Sequence, residues 1–238
     1  MRSSQLPLEQ YDTDKIANRY LEQYDPVLEP WIDKKIVLLE LGVRKGGSLL
    51  LWRDYFPLGT IVGIDISLPS GFQPSDRTCL FEGSQADPHF LSRVANEVAP
   101  DGFDIIIDDA SHMGELTKIA FWHLFDNHLK PGGLYVIEDW GTGYWDSLPD
   151  GKSFNLEGAF QSRPRRSSFW LKIARILRLK FPMRSHDYGM VGFIKQLIDE
   201  QGAHDVTKKN AKGKSKRGSK FANMMVTPSI VFIRKTDY

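Results

Sequence analysis

The sequence predicts an α/β protein built on a doubly wound, seven-stranded sheet, mostly parallel and with an antiparallel last strand. Three observations predict it. Short continuous apolar runs alternate with segments of helical spacing between residues 36 and 137. Those runs end at glycines or acids. The final apolar run follows a long polar stretch with no helix directly before it. Continuous apolar runs, as opposed to alternating ones, mark strands covered by helices on both faces. The chain of 238 residues, 41% of them hydrophobic, is sized for one domain, taken as 1–238, with a full core.

Residues 1–34 read as a helical lead-in, with Tyr, Leu and charges at helical spacing over 12–30 and an end near Pro30. Ile36–Leu41 is the first buried strand, and Gly46–Phe56 has the spacing of a helix. Thr60–Asp65 is the second strand and Thr78–Phe81 the third, with a helix over 88–98. Phe103–Asp108 is the clearest strand, followed by a helix over 114–128; Pro131-Gly-Gly then turns into the strand Leu134–Ile137. This alternation gives βαβ units with parallel pairing and right-handed crossovers. Residues 140–167 look irregular, inside a span of 140–188 expected to form a lid over an acceptor site. A helix over 190–201, a strand near 203–207 and the closing strand Ser229–Arg234 complete the pattern.

Composition excludes several classes of function. Cys79 is the only cysteine, which rules out an intrachain disulfide and a thiolate zinc site. No apolar run approaches the ~18 residues of a membrane span. The N-terminal MRSSQLPLEQYDTDK carries acids and no apolar h-region. A cytoplasmic protein is expected. The formal net charge is only +1, but it is segregated. Lys208, Lys209, Lys212, Lys214, Lys216, Arg217 and Lys220 put seven basic residues in thirteen positions; without them the charge becomes −6. A solvated flexible loop over 208–220 is the plain reading. No aromatics interleave there to stack bases, so no nucleic-acid partner is expected. A second acid-free stretch, Arg163–Arg184, contains a basic amphipathic helix over 168–181. It packs on the core, rests on an anionic membrane surface, covers the acceptor or meets another subunit of a homo-oligomer.

In open α/β sheets, ligands bind beyond the carboxyl ends of the strands, where the strand order reverses. The first strand ends Glu40-Leu-Gly42-Val-Arg-Lys-Gly46-Gly47-Ser48, a turn whose glycines let the backbone approach a ligand ahead of a helix N-terminus. Asp65 ends the second strand, 25 positions after Glu40, where a carboxylate can accept both hydroxyls of a ribose. A nicotinamide site requires G-x-G-x-x-G, with room for a pyrophosphate. Three non-glycine residues follow Gly42, so a ligand with a ribose and no phosphate fits better. The bland alternative is a tight strand–helix turn with nothing bound.

Asp108-Asp109 with His112, and Glu138-Asp139, fall at the ends of what should be adjacent strands. Carboxylates crowded in this way need a cation, or else take up a proton. Strand ends lie about 5 Å apart, so Asp109, Glu138 and Asp139 can share one ion. Oxygen ligands without cysteine favour Mg²⁺, with Mn²⁺ or Ca²⁺ as alternatives. Taken singly, Asp109 or Ser111 is explained as an N-cap, and Glu138 and Asp139 as solvated loop acids. His112 follows Asp109 by three residues and so can face the same ligand. Histidine titrates in the range a general base needs. His89, His123, His128, His186 and His204 have no comparable context.

These blocks in combination, ELGVRKGGSL with WRDYFPLGTIVGIDIS, EGSQAD, FDIIIDDASH and LKPGGLYVIEDW, resemble the metal-dependent macrolide and sugar O-methyltransferases. That group belongs to the class I S-adenosylmethionine-dependent methyltransferases and includes proteins labelled cephalosporin-hydroxylase-like. The resemblance runs over about residues 12–145 and is loose beyond. It implies a Rossmann-like fold, with Glu40, Gly42 and Ser48 at the methionine end of the cofactor, Asp65 on its ribose and Ser84 and Gln85 beside its adenine. Asp108 is expected on the cofactor side as well. The resemblance also implies Asp109, Glu138 and Asp139 as metal ligands and supports His112 as the base. Thr13-Asp14-Lys15 resembles the family's N-terminal block, with no role attached. The implied acceptor is a small molecule or oligosaccharide, a sugar hydroxyl of a glycosylated natural product or polysaccharide, on which Tyr144 and Trp145 could stack. Two alternatives stay open: a catechol-type metal-dependent O-methyltransferase, and a Rossmann-like module that binds the cofactor without catalysis.

Overall fold

Both faces of the central strands are covered, which is why those strands read as largely apolar runs. The structure, a computed structural model, describes residues 2–72, 75–152, 186–206 and 217–237. The strands are β1 (Val37–Leu41), β2 (Thr60–Asp65), β3 (Thr78–Glu82), β4 (Phe103–Asp108), β5 (Leu129–Glu138), β6 (Phe221–Val226) and β7 (Ile230–Lys235). They form one seven-stranded sheet in the order β3-β2-β1-β4-β5-β7-β6. Pairings from β3 through β5 are parallel, and β7 runs antiparallel to both its neighbours. The strand order reverses between β1 and β4, and a crevice at their carboxyl ends is the expected ligand position.

Among the described residues the helices are α1 (Asp14–Ala17), α2 (Leu21–Leu28), α3 (Gly47–Tyr55), α4 (Pro88–Val98), α5 (Gly114–Asn127), α6 (Pro149–Lys152), α7 (Gly189–Gln201) and α8 (Ala203–Val206). Side chains of successive strand residues point to opposite layers. Leu39, Leu41, Val62, Ile64 and Ile106 pack with α4, α5 and α7. Leu38, Ile61, Ile105 and Ile107 pack with α2 and α3 on the other face. Each such buried aliphatic side chain stabilises the fold by roughly 1.5–3 kcal/mol. Tyr24 of α2 sits edge-on to Trp52 of α3, ring centroids 5.0 Å apart, and so fastens the lead-in to the sheet.

Three expectations need correction. The lead-in is not one helix over 12–30. Arg19 has φ +58°, which breaks the helical path, so α1 and α2 are separate and a 3₁₀ turn at Glu29–Trp31 follows. The sixth strand is not near 203–207, since Ala203–Val206 form α8; it is β6, the second arm of a hairpin with β7. Pro131-Gly-Gly is not a turn before the strand but an irregularity inside β5, whose pairing jumps from Phe103↔Leu129 to Ile105↔Leu134. The amphipathic helix expected over 168–181 lies outside the described residues. So does most of the 140–188 span; in its described part, a 3₁₀ turn at Trp140–Tyr144 and α6 replace irregular chain. Of the basic loop, Arg217 and Lys220 are described, and both are paired, with Glu200 and Asp126.

Candidate active site

A cleft of about 850 Å³ opens at the carboxyl ends of β1, β2 and β4. Its floor is the β1–α3 turn. Gly42 has φ +90°, and a Cβ there would lie 2.2 Å from the carbonyl oxygen of Asp109, so only glycine fits. A Cβ on Gly47 would meet the carbonyl of Asp12 at 2.1 Å, which lets the N-terminal segment close against the start of α3. Asp65 shapes the same turn. Its Oδ2 accepts from the amides of Val43 at 2.7 Å and Arg44 at 3.0 Å, and its Oδ1 from Ser67 at 3.1 Å. Burial would raise its pKa, but these N–H groups hold the carboxyl below the usual aspartate value.

The sequence-predicted cofactor residues divide into two sets. Gly42, Ser48, Asp65, Ser84 and Gln85 line the cleft. Glu40 and Asp108 are buried behind its wall. Glu40 accepts from Ser48 Oγ at 2.7 Å and Trp52 Nε1 at 3.1 Å, and so orients a lining hydroxyl from beneath. Asp108 accepts from Gln85 Nε2 at 3.2 Å, while Gln85 Oε1 accepts from the Ser111 amide at 3.0 Å. Burial pushes Asp108 up to about 7.

At one end of the cleft the proposed chemical residues converge. Ligand atoms of Asp109, His112 and Asp139 all lie within 4.8 Å of one another. His112 Nε2 is 4.0 Å from Asp109 Oδ1 and 4.0 Å from Asp139 Oδ2. Both His112 and Asp139 have φ +53°, left-handed conformations that cost energy in residues other than glycine and that cluster at functional sites. Asp109 and His112 line the cleft itself. Two oxygen donors and an imidazole at this separation fit a divalent cation.

Glu138, the third expected metal ligand, stands outside that group of three. It is buried behind this group, with Oε2 accepting from Lys15 Nζ at 2.8 Å and Oε1 from the Tyr24 hydroxyl. Tyr20 donates likewise to Asp139. Burial pushes both acids up from the ordinary carboxylate range, while Lys15 pulls Glu138 back and Tyr20 pulls Asp139 back. Sequence reasoning missed Tyr20 and Tyr24, and it marked Lys15 only within the Thr13-Asp14-Lys15 block, with no role attached. The need for a cation among the acids was legible; that a lysine on the same chain supplies positive charge there was not.

No protein-family model matches the sequence. Curated relatives do. Mycinamicin VI 2''-O-methyltransferase of Micromonospora griseorubida is 38% identical over 133 residues, 53% of this chain and 32% of the relative. Demethylmacrocin O-methyltransferase of Streptomyces fradiae is 36% identical over 152 residues, 56% of this chain and 38% of the relative. An 8-demethyl-8-alpha-L-rhamnosyl tetracenomycin-C 2'-O-methyltransferase of Streptomyces olivaceus is 34% identical over 160 residues, 64% and 39% respectively. The chain thus spans well under half the length of these relatives. Among solved structures, MycE, a methyltransferase of the mycinamycin biosynthetic pathway in complex with Mg and SAH, matches with a TM-score of 0.67 at 27% identity. That match covers 90% of this chain and 49% of MycE. Over the matched stretch the chain is similar in sequence to macrolide and sugar O-methyltransferases, and its seven-stranded sheet has the Rossmann-like methyltransferase fold that MycE shares.

Proposed function

We propose that this chain transfers a methyl group from S-adenosylmethionine to a sugar hydroxyl of a glycosylated small molecule, with a divalent cation, Mg²⁺ by preference, held by Asp109 and Asp139. The observation that carries this reading is the convergence of Asp109, His112 and Asp139 at the edge of the cofactor cleft. The relatives named above, whose own acceptors are macrolide and tetracenomycin glycosides, support the sugar.

In this reading Asp65 faces the ribose, Gln85 and Ser84 flank the adenine, and Ser48, oriented by Glu40, meets the methionine end. Asp108 works indirectly, through Gln85. When bound, the cation lowers the pKa of the acceptor hydroxyl, which otherwise is a poor acid. His112 would take the proton of that hydroxyl at Nε2, and the cleft would hold the methyl donor beside it in line for transfer. Glu138, with one hydrogen bond already on each oxygen, braces the site from behind. Half-exposed Tyr144 and exposed Trp145, just past Asp139, offer faces for a sugar ring. A cytoplasmic site of action belongs to the same proposal, since S-adenosylmethionine is made and used there.

One observation favours a second role for His112: its ring stands as close to the two acids as a third ligand would. Turnover on a panel of glycosides, with a catechol as control, tests the reading. Chelation should abolish methyl transfer and leave S-adenosylhomocysteine binding intact. His112→Ala should lower turnover by about 10²-fold or more and leave Mg²⁺ affinity unchanged. A parallel loss of Mg²⁺ affinity would make His112 a ligand instead, and methylation of the catechol alone would displace the sugar.

A further inference from the structure

Lys15 has no exposed surface at all. Its ammonium lies 2.6 Å from Asp109 Oδ2, 2.8 Å from Glu138 Oε2 and 3.4 Å from Glu40 Oε1. These acids come from the ends of β1, β4 and β5, three neighbouring strands, so one side chain bridges all three. A lysine is almost never fully buried unless its charge is paired. Here the pairing is threefold, and its placement is fixed by the chain around it. The Thr13 side chain accepts from the Lys15 amide at 3.4 Å, capping α1, and the backbone of Asp12 is pressed against Gly47.

Asp109 faces two ways. Oδ2 is held by Lys15, while Oδ1 is turned toward His112 and the candidate cation position. Any cation beside Asp109 and Asp139 therefore shares a carboxylate with a fixed positive charge. We propose that Lys15 is a positioning residue that sets how tightly this site holds a divalent cation, competing for Asp109 while keeping its carboxylate in place. This rests on the metal half of the reading above. The ammonium offsets part of the acid cluster before an ion arrives, and its repulsion of the ion lowers the site's affinity. The charge is close, and it acts in a medium less screened than water.

The competition predicts an effect opposite in sign to ordinary loss of support. Calorimetric titration of Mg²⁺ into the full chain, saturated with S-adenosylhomocysteine, compares wild type with Lys15→Met, which keeps the length of the side chain and removes the charge. Lys15→Met should bind Mg²⁺ at least fivefold more tightly, and its melting temperature should rise more on adding Mg²⁺ than that of wild type. Equal or weaker affinity overturns the proposal, because a lysine that only braces the fold would weaken the site on removal. A second measurement needs no destabilised variant. In wild type labelled with ¹⁵N-lysine, the Lys15 ammonium resonance, assigned by its absence from Lys15→Arg, should shift on saturation with Mg²⁺. An unmoved resonance overturns the proposal too. Failure of Mg²⁺ to bind wild type removes both this inference and the metal half of the functional reading. Binding to wild type without a gain in Lys15→Met removes this inference alone.

Discussion

Asp65 does two things with one carboxylate: it ties down the amides of Val43 and Arg44 and it lines the cleft. Because those amides hold its pKa below the usual aspartate value, the stability it contributes is fully present above about pH 4 and is lost as pH falls through the lowered value. Asp65→Asn should therefore destabilise the fold by about 1 kcal/mol at neutral pH, a figure kept small by the partial exposure of the site. Urea unfolding of both proteins should show this difference shrinking below about pH 4; a difference constant with pH would contradict the assigned cause. Asp65 was legible because a lone acid at the end of a buried strand stands out against its surroundings. Lys15 was not. A lysine in a short charged helix carries the sequence signature of a solvated surface residue, and only the three-dimensional meeting of β1, β4 and β5 reveals its partners. The partners of Glu138 were hidden for the same reason: its neighbour Asp139 reaches the cleft edge, while Glu138 accepts from Tyr24 and Lys15.

Elements whose both faces are buried announced themselves, since β1, β2 and β4 carry apolar residues at most positions on both faces. The edge of the sheet did not. In β6 only Phe221 is buried, so Phe221–Val226 shows neither a continuous run nor a clean alternation. Its position is set by pairing with β7 and by a polar anchor. Glu200 near the end of α7 accepts from Arg217 Nη1 at 2.6 Å and from the Lys220 amide at 3.0 Å, joining α7 to the start of β6. Burial would raise the Glu200 pKa, but Arg217 and the amide hold it below the ordinary value. Glu200→Gln should cost about 1 kcal/mol, discounted because Arg217 is half exposed. The loss should appear in the denaturant midpoint, with S-adenosylhomocysteine and Mg²⁺ affinities unchanged. A change in either affinity would mean that this hairpin is coupled to the cleft. The lead-in was half legible: its helical spacing is real, but the left-handed turn at Arg19 that divides it has no marker in the sequence.

For the whole molecule, the central claim is that one sheet edge holds a cofactor cleft and a cation site side by side. The sheet order puts Gly42, Asp65 and Gln85 on one side of Asp109 and puts Asp139 on the other. The two halves of the claim are separable, because Asp139 does not line the cleft. Calorimetry with S-adenosylhomocysteine and then Mg²⁺, on wild type and on Asp139→Ala, tests both halves at once. The predicted result is that both proteins bind S-adenosylhomocysteine with similar affinity, while Asp139→Ala binds Mg²⁺ at least about tenfold more weakly, as loss of one ligand requires. If wild type does not bind S-adenosylhomocysteine, the cofactor cleft has been misread; if Mg²⁺ binds the variant as well as wild type, the cation site has.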